Sequence, residues 1–243
     1  MKKLIKLTLL LAVLVITSQL SAQNWGSKKI KGNGNVTTET TQTGDYSEVS
    51  AVGPMDVFLE KGTEGTIVVQ ADSNFHEYLD ISTEGSKLVL KVKKGYNLNS
   101  RNPIKVTVPF TDIDVIKLTG SGDVVSRDAI EAETFEANLT GSGDIKLEVK
   151  AQEALFKVTG SGDMVLTGDA NTAEIKISGS GDFDGRQFKT KDAEVYISGS
   201  GDVKVYANNT LKARVNGSGD VIYGGNPNVD KKVSGSGTIK AHN

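Results

Sequence analysis

From Val115 to Ile239 apolar residues fall on alternate positions, and the alternation is punctuated by one recurring tetrad. Gly-Ser-Gly-Asp, or a close copy of it, starts at Gly120, Gly141, Gly160, Gly179, Gly199, Gly217 and Gly235, with spacings of 21, 19, 19, 20, 18 and 18 residues. When the repeats are aligned on the first glycine, two positions before it stand Leu118, Leu139, Val158, Ile177, Ile197, Val215 and Val233. Four positions after it stand Val124, Ile145, Met164, Phe183, Val203, Val221 and Ile239. Side chains alternate faces along a strand, so the even offsets point inward and both tetrad glycines share that parity. Lacking Cβ, they let the chain turn a tight corner and let opposing backbone come close. A period of this length with no helical spacing predicts a solenoid of β-coils, stacked about 4.8 Å apart.

The odd offsets point outward. They carry Thr119, Thr140, Thr159, Ser178, Ser198, Asn216 and Ser234 just before the tetrad, then the tetrad serine, then the aspartate. Three positions before the tetrad lies a mostly cationic column: Lys117, Asn138, Lys157, Lys176, Tyr196, Arg214 and Lys232. The segments between tetrads contain DAN, ANNT and GGNPN, which read as surface loops. The same parity recurs upstream at Val49, Ala51, Gly53, Met55, Val57 and Leu59, where GPMD with Asp56 reads as a degenerate first coil. TIVVQA, KLVLKV and IKVTVP add further period-2 stretches, and NFHEYL has room for one helical turn. The fold class is therefore all-β, a parallel β-helix of about 18–21 residues per coil. Residues 45–115 form its N-terminal degenerate coils and cap, and residues 116–243 form the repeats.

The N-terminus changes the picture of where the protein works. MKKLIK is a basic start, LTLLLAVLVIT an apolar stretch and Leu20-Ser21-Ala22 a small-residue cleavage site, so residues 1–22 read as a signal peptide. No later apolar run approaches the roughly 20 residues of a spanning helix, so no transmembrane segment is expected after cleavage. Residues 23–44 are polar and rich in Gly, Thr and Lys, and read as a flexible lead-in. The chain has no cysteine, which excludes disulfides and a lipid-modified N-terminal Cys. Loss of Lys2, Lys3 and Lys6 takes the formal charge from −2 to −5, which provides no footprint for nucleic acid.

YSEVSAVGPMDVFLEKG, KLVLKV, IKVTVPFTDIDVIKLTGSGDV and the serial GSGD copies together resemble the head GIN domain family of putative autotransporter adhesins. The resemblance spans roughly residues 45 to 240. It implies a right-handed parallel β-helix, exported to the periplasm or cell surface of a Gram-negative bacterium. It supplies no catalytic residues, and no membrane-barrel segment follows the repeats.

The sharpest chemical feature is the aspartate column: Asp123, Asp144, Asp163, Asp182, Asp202 and Asp220, with Thr238 in the last coil. Stacked carboxylates repel. One way to offset this is for each Asp to accept backbone N–H groups of its own Gly-rich corner, aided by the cationic column. The alternative is Ca²⁺, by analogy with β-roll repeats, although a single carboxylate per coil falls short of the six to eight oxygens the ion takes. The outward hydroxyl and carboxylate rows form a polar stripe of about 30 Å over the stacked coils, suited to a glycan or an envelope protein. An enzyme would need a local break in the repeat where an acid and a base converge. The columns are uniform, and His76 and His242, which read as surface residues, have no metal-ligand spacing. The expectation is a non-enzymatic adhesin-like or scaffold module with no cofactor. Its solenoid edges are capable of forming homo-oligomers unless they are blunted; the lysine-rich last coil is expected to cap one end and residues 45–110 the other.

Overall fold

The computed structural model describes residues 27–242, so the signal peptide expected over residues 1–22 lies outside the described residues. The repeats form a parallel β-solenoid. Strands β12 (Ile130–Gly141), β13 (Ile145–Gly160), β14 (Met164–Gly179), β15 (Phe183–Gly199) and β16 (Val203–Gly217) each run almost the full length of one coil. They pair in parallel with every tetrad in register: Gly141 opposes Gly160, Gly160 opposes Gly179, Gly179 opposes Gly199 and Gly199 opposes Gly217. Shorter strands complete the coils at the two ends of the run, β10 (Val115–Gly120) with β11 (Val124–Ser126), and β17 (Val221–Gly224), β18 (Asn228–Gly235) and β19 (Ile239–Ala241).

The inward parity read from the sequence is the buried parity. Along β14, Met164, Leu166, Ala170, Ala173, Ile175 and Ile177 are all buried. Large residues fill the centre, where the Phe156 ring lies 6.3 Å from that of Phe135, 5.5 Å from Phe183 and 5.4 Å from Phe188. A second bend lies opposite the tetrad, where pairing skips Glu133, Gln152, Asn171 and Lys191. DAN and ANNT fall at this bend inside the continuous strands β14 and β16, so they are not the loops expected from their composition. Ala151, Ala170, Thr190 and Ala207 follow one another in register on the inner side of the bend, and their small size lets the strand turn without breaking. Only GGNPN is a true break, between β17 and β18.

Intervals longer than nineteen residues place their excess between the tetrads, away from the corner. The 21-residue interval has a short excursion between β11 and β12, anchored by Asp128 Oδ2 accepting the Lys61 amide at 2.9 Å. In the 20-residue interval the register shifts after Asp184, a β-bulge in which Arg186 Nε donates to Asp184 Oδ1 at 2.9 Å.

The corner itself is built from close backbone contact. The first glycines have left-handed φ values, from +123° at Gly160 to +141° at Gly199, which only glycine adopts without strain. A Cβ on Gly162 would lie 1.9 Å from the carbonyl oxygen of Gly143, and one on Gly179 would lie 2.3 Å from that of Gly160. The missing Cβ atoms would therefore strike the backbone of the coil beneath, so stacking as well as turning requires glycine. This closeness puts three consecutive N–H groups over the previous coil. The Gly141 carbonyl accepts Ser161 N at 2.9 Å and Gly162 N at 3.1 Å. The third, Asp163 N, donates to the Asp144 carboxylate at 3.0 Å. The same bond runs from Asp144 N to Asp123 at 2.9 Å, Asp182 N to Asp163 at 2.9 Å, Asp202 N to Asp182 at 2.8 Å and Asp220 N to Asp202 at 2.8 Å.

Both ends of this ladder are edited as its geometry requires. In the last coil Thr238 donates its amide to Asp220 at 2.8 Å, and no described coil follows whose amide would call for a carboxylate there. In the first, Gly53 opposes Gly120, so Pro54 stands where later coils have the donating serine. Proline has no N–H, and no tetrad carbonyl lies below to receive one. Asp56 starts the column by accepting the Asp123 amide at 3.3 Å.

Below this first coil, β3 (Glu48–Gly53) and β4 (Met55–Lys61) rest in parallel on β7 (Lys87–Val92) and β9 (Ile104–Phe110). There the tetrad is replaced by a longer excursion containing β8 (Tyr96–Asn99). Antiparallel strands then end the stack: β6 (Leu79–Glu84) on β7, β5 (Thr66–Asp72) on β9, and β2 (Val36–Gln42) on β5. The helical turn expected in NFHEYL is a short 3₁₀ helix, His76–Tyr78. Of the lead-in expected to be flexible over residues 23–44, the described part, residues 27–44, contributes β1 (Lys28–Lys31), parallel to β8, and β2. VTTETTQ escapes an apolar-alternation reading because threonine takes the strand positions, and threonine has high β propensity.

The excursion is tied down by Asp72, only 1 % exposed. Its carboxylate accepts from the Ser100 hydroxyl and from Asn102 Nδ2 at 2.8 Å, and these bonds hold its pKa below the ordinary carboxylate value. Gly32 packs against it with no room for a Cβ.

Three measurements follow from these contacts. Asp163→Ala orphans the Asp182 amide and should cost about 1 kcal/mol in chemical denaturation, whereas Asp163→Asn keeps an acceptor oxygen and should lose a smaller amount. Gly162→Ala should cost about 3 kcal/mol by forcing backbone apart, against about 1 kcal/mol for Gly34→Ala, where φ is +78° and nothing lies within 4 Å. Because the Asp72 pKa is depressed on folding, its stabilisation is full above about pH 4 and is lost as pH falls through the lower folded value. Asp72→Asn should therefore lower the melting temperature at neutral pH, with the gap to the unmodified chain closing in acid.

Candidate functional site

The corner ridge holds the residues singled out from the sequence. Ser121, Ser142, Ser161, Ser180, Ser200, Ser218 and Ser236 are exposed, as are Thr119, Thr140, Thr159, Ser178, Ser198, Asn216 and Ser234. Two hydroxyl-rich rows thus flank a line of glycines. The aspartates lie beside them, half-buried or exposed, each with Oδ1 engaged by the amide of the next coil rather than by its own corner. Burial raises the pKa of Asp56 at the start of the column, and the Asp123 amide partly opposes that rise.

The cationic column does not neutralise these carboxylates. Lys117 pairs with Glu48 at 2.9 Å, Lys157 with Glu136 at 2.9 Å, Lys176 with Glu174 at 2.8 Å and Arg214 with Asp230 at 2.5 Å, all on the outer face before the corner. The offset to carboxylate stacking comes from backbone N–H dipoles. Among the described residues, no three His, Cys, Asp or Glu side chains cluster in a way that could hold a metal ion. His242 is exposed, but His76, expected at the surface, is largely covered. Its Nε2 lies 3.1 Å from Thr37 Oγ1 and its Nδ1 3.8 Å from Glu39, pinning β2 to the 3₁₀ turn.

A groove on the opposite bend went unnoticed in the sequence. It encloses about 480 Å³ and runs along the solenoid across β12 to β16. One wall is the register column Thr134, Glu153, Thr172, Asp192 and Thr210, in which hydroxyl and carboxylate alternate coil by coil. The other wall is Leu155, Glu174, Glu194 and Lys212. The floor is the column Ala154, Ala173 and Ala193, whose buried side chains point inward between Phe135 on one side and Leu211 on the other, so what faces the groove there is mainly main chain.

Three of the four groove carboxylates have a donor beside them. A hydrogen bond from the Tyr196 hydroxyl, and then one from Lys212 at 3.0 Å, hold the Glu194 carboxyl below its ordinary range. Thr210 donates to Asp192 at 2.6 Å, and Lys176 lies 2.8 Å from Glu174. The groove is thus polar and rich in acceptors, and Glu153 and Asp192, without a cationic partner among the described residues, leave it net acidic. Its signal was present at seven, six and five residues before each tetrad, but those columns mix residue types and stand out only once the bend is located.

Known proteins place this fold. A putative adhesin of Bacteroides fragilis is similar in structure, with a TM-score of 0.83 and 20 % identity over 88 % of this chain and 100 % of that one. A putative lipid binding protein of Parabacteroides distasonis has a TM-score of 0.71 and 27 % identity over 89 % and 100 %. A putative adhesin of Parabacteroides merdae has 0.71 and 22 % over 88 % and 99 %. Among curated proteins none matches the chain. The sequence pattern described as "Putative auto-transporter adhesin, head GIN domain" matches residues 45–227. With the in-register GSGD corners and their N-terminal cap, the chain belongs to the head GIN domain family of putative autotransporter adhesins.

Proposed function

We propose that this exported β-solenoid is a non-enzymatic adhesin module at the cell envelope, and that its groove takes an extended glycan. The observation that carries this reading is the alternating Thr134, Glu153, Thr172, Asp192, Thr210 wall above a narrow floor of small residues. Carboxylates and hydroxyls spaced by one coil, about 4.8 Å, accept and donate hydrogen bonds to a chain of sugar hydroxyls. Leu155, half-buried on the other wall, meets the apolar C–H faces of the rings. Pairing of Glu174 and Glu194 with lysines removes much of the field that would otherwise select a cationic peptide.

Non-enzymatic action is supported by the same uniformity. The groove repeats one pattern over several coils, and Tyr196 and Lys212 hold the Glu194 carboxyl below its ordinary range instead of raising it as a general acid requires. Of the two envelope destinations, the outer cell surface suits a glycan-binding face better than the periplasm; protease shaving of intact cells should remove the protein, and its survival would place it inside.

The binding experiment uses an array of envelope and host polysaccharides, followed by calorimetry on the best ligand. Thr172 is exposed in the middle of the wall, so Thr172→Trp should plug the groove without disturbing the fold. Affinity should fall at least tenfold, whereas Ser161→Trp on the corner ridge should leave it unchanged. Equal losses from both variants, or retention of a protein ligand with no glycan bound, would refute the assignment.

A further inference from the structure

We infer that the last coil is a built-in stop that prevents a second copy of the chain from adding strands to the solenoid end. The inference is independent of the ligand and rests on one inward column. Ala137, Phe156, Ile175, Val195 and Ala213 follow one another in register on the core side, and all are buried. The next member, opposite Ala213, is Lys231. Its ammonium reaches across the open mouth of the coil and donates to the Ile239 carbonyl on the opposite strand at 3.1 Å.

A lysine at an inward position is tolerable at this end because the mouth is open to water. Any coil or strand laid on top would bury the ammonium over an apolar core with a single carbonyl as partner, an unfavourable transfer. Inward-pointing charge is one of the devices by which sheet edges resist pairing.

Without this lysine the edge is a good template. β18 is largely exposed and Val233 is 38 % exposed in a column that is otherwise core. Asn228–Gly235 already holds the regular register of the coils beneath it. At the opposite end antiparallel β6 and β2 interrupt the parallel stack, so the coil register does not continue there. The partner excluded is therefore a second copy meeting this one end to end through the two C-terminal edges.

The test restores an apolar residue to the inward column. Lys231→Val should convert the edge into an acceptor. Sedimentation velocity should then show concentration-dependent association toward twice the monomer mass. Hydrogen exchange should slow at least tenfold, confined to residues 228–241. Lys231→Met, which keeps the length of the side chain without its charge, should associate through the same segment more weakly. The unmodified chain should show no slowing of that segment with concentration. Association of the unmodified chain through residues 228–241, or two folded variants that both remain monomeric, would overturn the inference.

Discussion

At each corner of the solenoid the chain lies almost on the backbone of the coil beneath, and everything else in the repeat is arranged around that contact. With no Cβ on either glycine, three successive amides come within reach of the preceding coil. One glycine carbonyl takes two of them and an aspartate takes the third, as with Ser161, Gly162 and Asp163 over Gly141 and Asp144. Desolvated amides without acceptors are costly, so the tetrad works as a unit: glycine creates the approach and aspartate satisfies what the approach exposes. The contact also fixes register, because a slip of one residue would put an ordinary side chain where only hydrogen fits.

The division of labour between the two bends follows from this constraint. The tetrad bend is nearly invariant and presents small polar groups, so it forms a flat ridge. The opposite bend is held only by small inward residues such as Ala151, Ala170 and Ala207 and has no obligatory backbone contact. Its outer residues are free to vary, and there the chain builds a groove of alternating hydroxyls and carboxylates. The constrained corner and the groove thus occupy opposite sides of each coil, so a change in the groove's outer residues leaves the corner contacts of the stack intact.

Much of the fold was legible in the sequence because a period-2 pattern with a fixed punctuation mark leaves little freedom. The inward columns, the corner, the first coil at GPMD and the capping role of residues 45–110 can all be read from parity alone. Three things could not. The partner of each aspartate is set by stacking, and sequence offset does not distinguish the amide of its own corner from that of the next coil. VTTETTQ conceals an edge strand because its alternation is threonine against threonine. The groove lies on columns that mix Thr, Glu and Asp, and its position depends on a bend with no glycine to mark it.

The most direct test of the between-coil ladder is scalar coupling across its hydrogen bonds, measured by NMR on ¹³C,¹⁵N-labelled protein. Coupling should be seen from the Asp182 amide nitrogen to the carboxyl carbon of Asp163, and likewise from Asp202 to Asp182 and from Asp220 to Asp202. Coupling of each carboxyl carbon to an amide within its own tetrad would contradict the ladder and return the aspartates to the role of isolated turn residues.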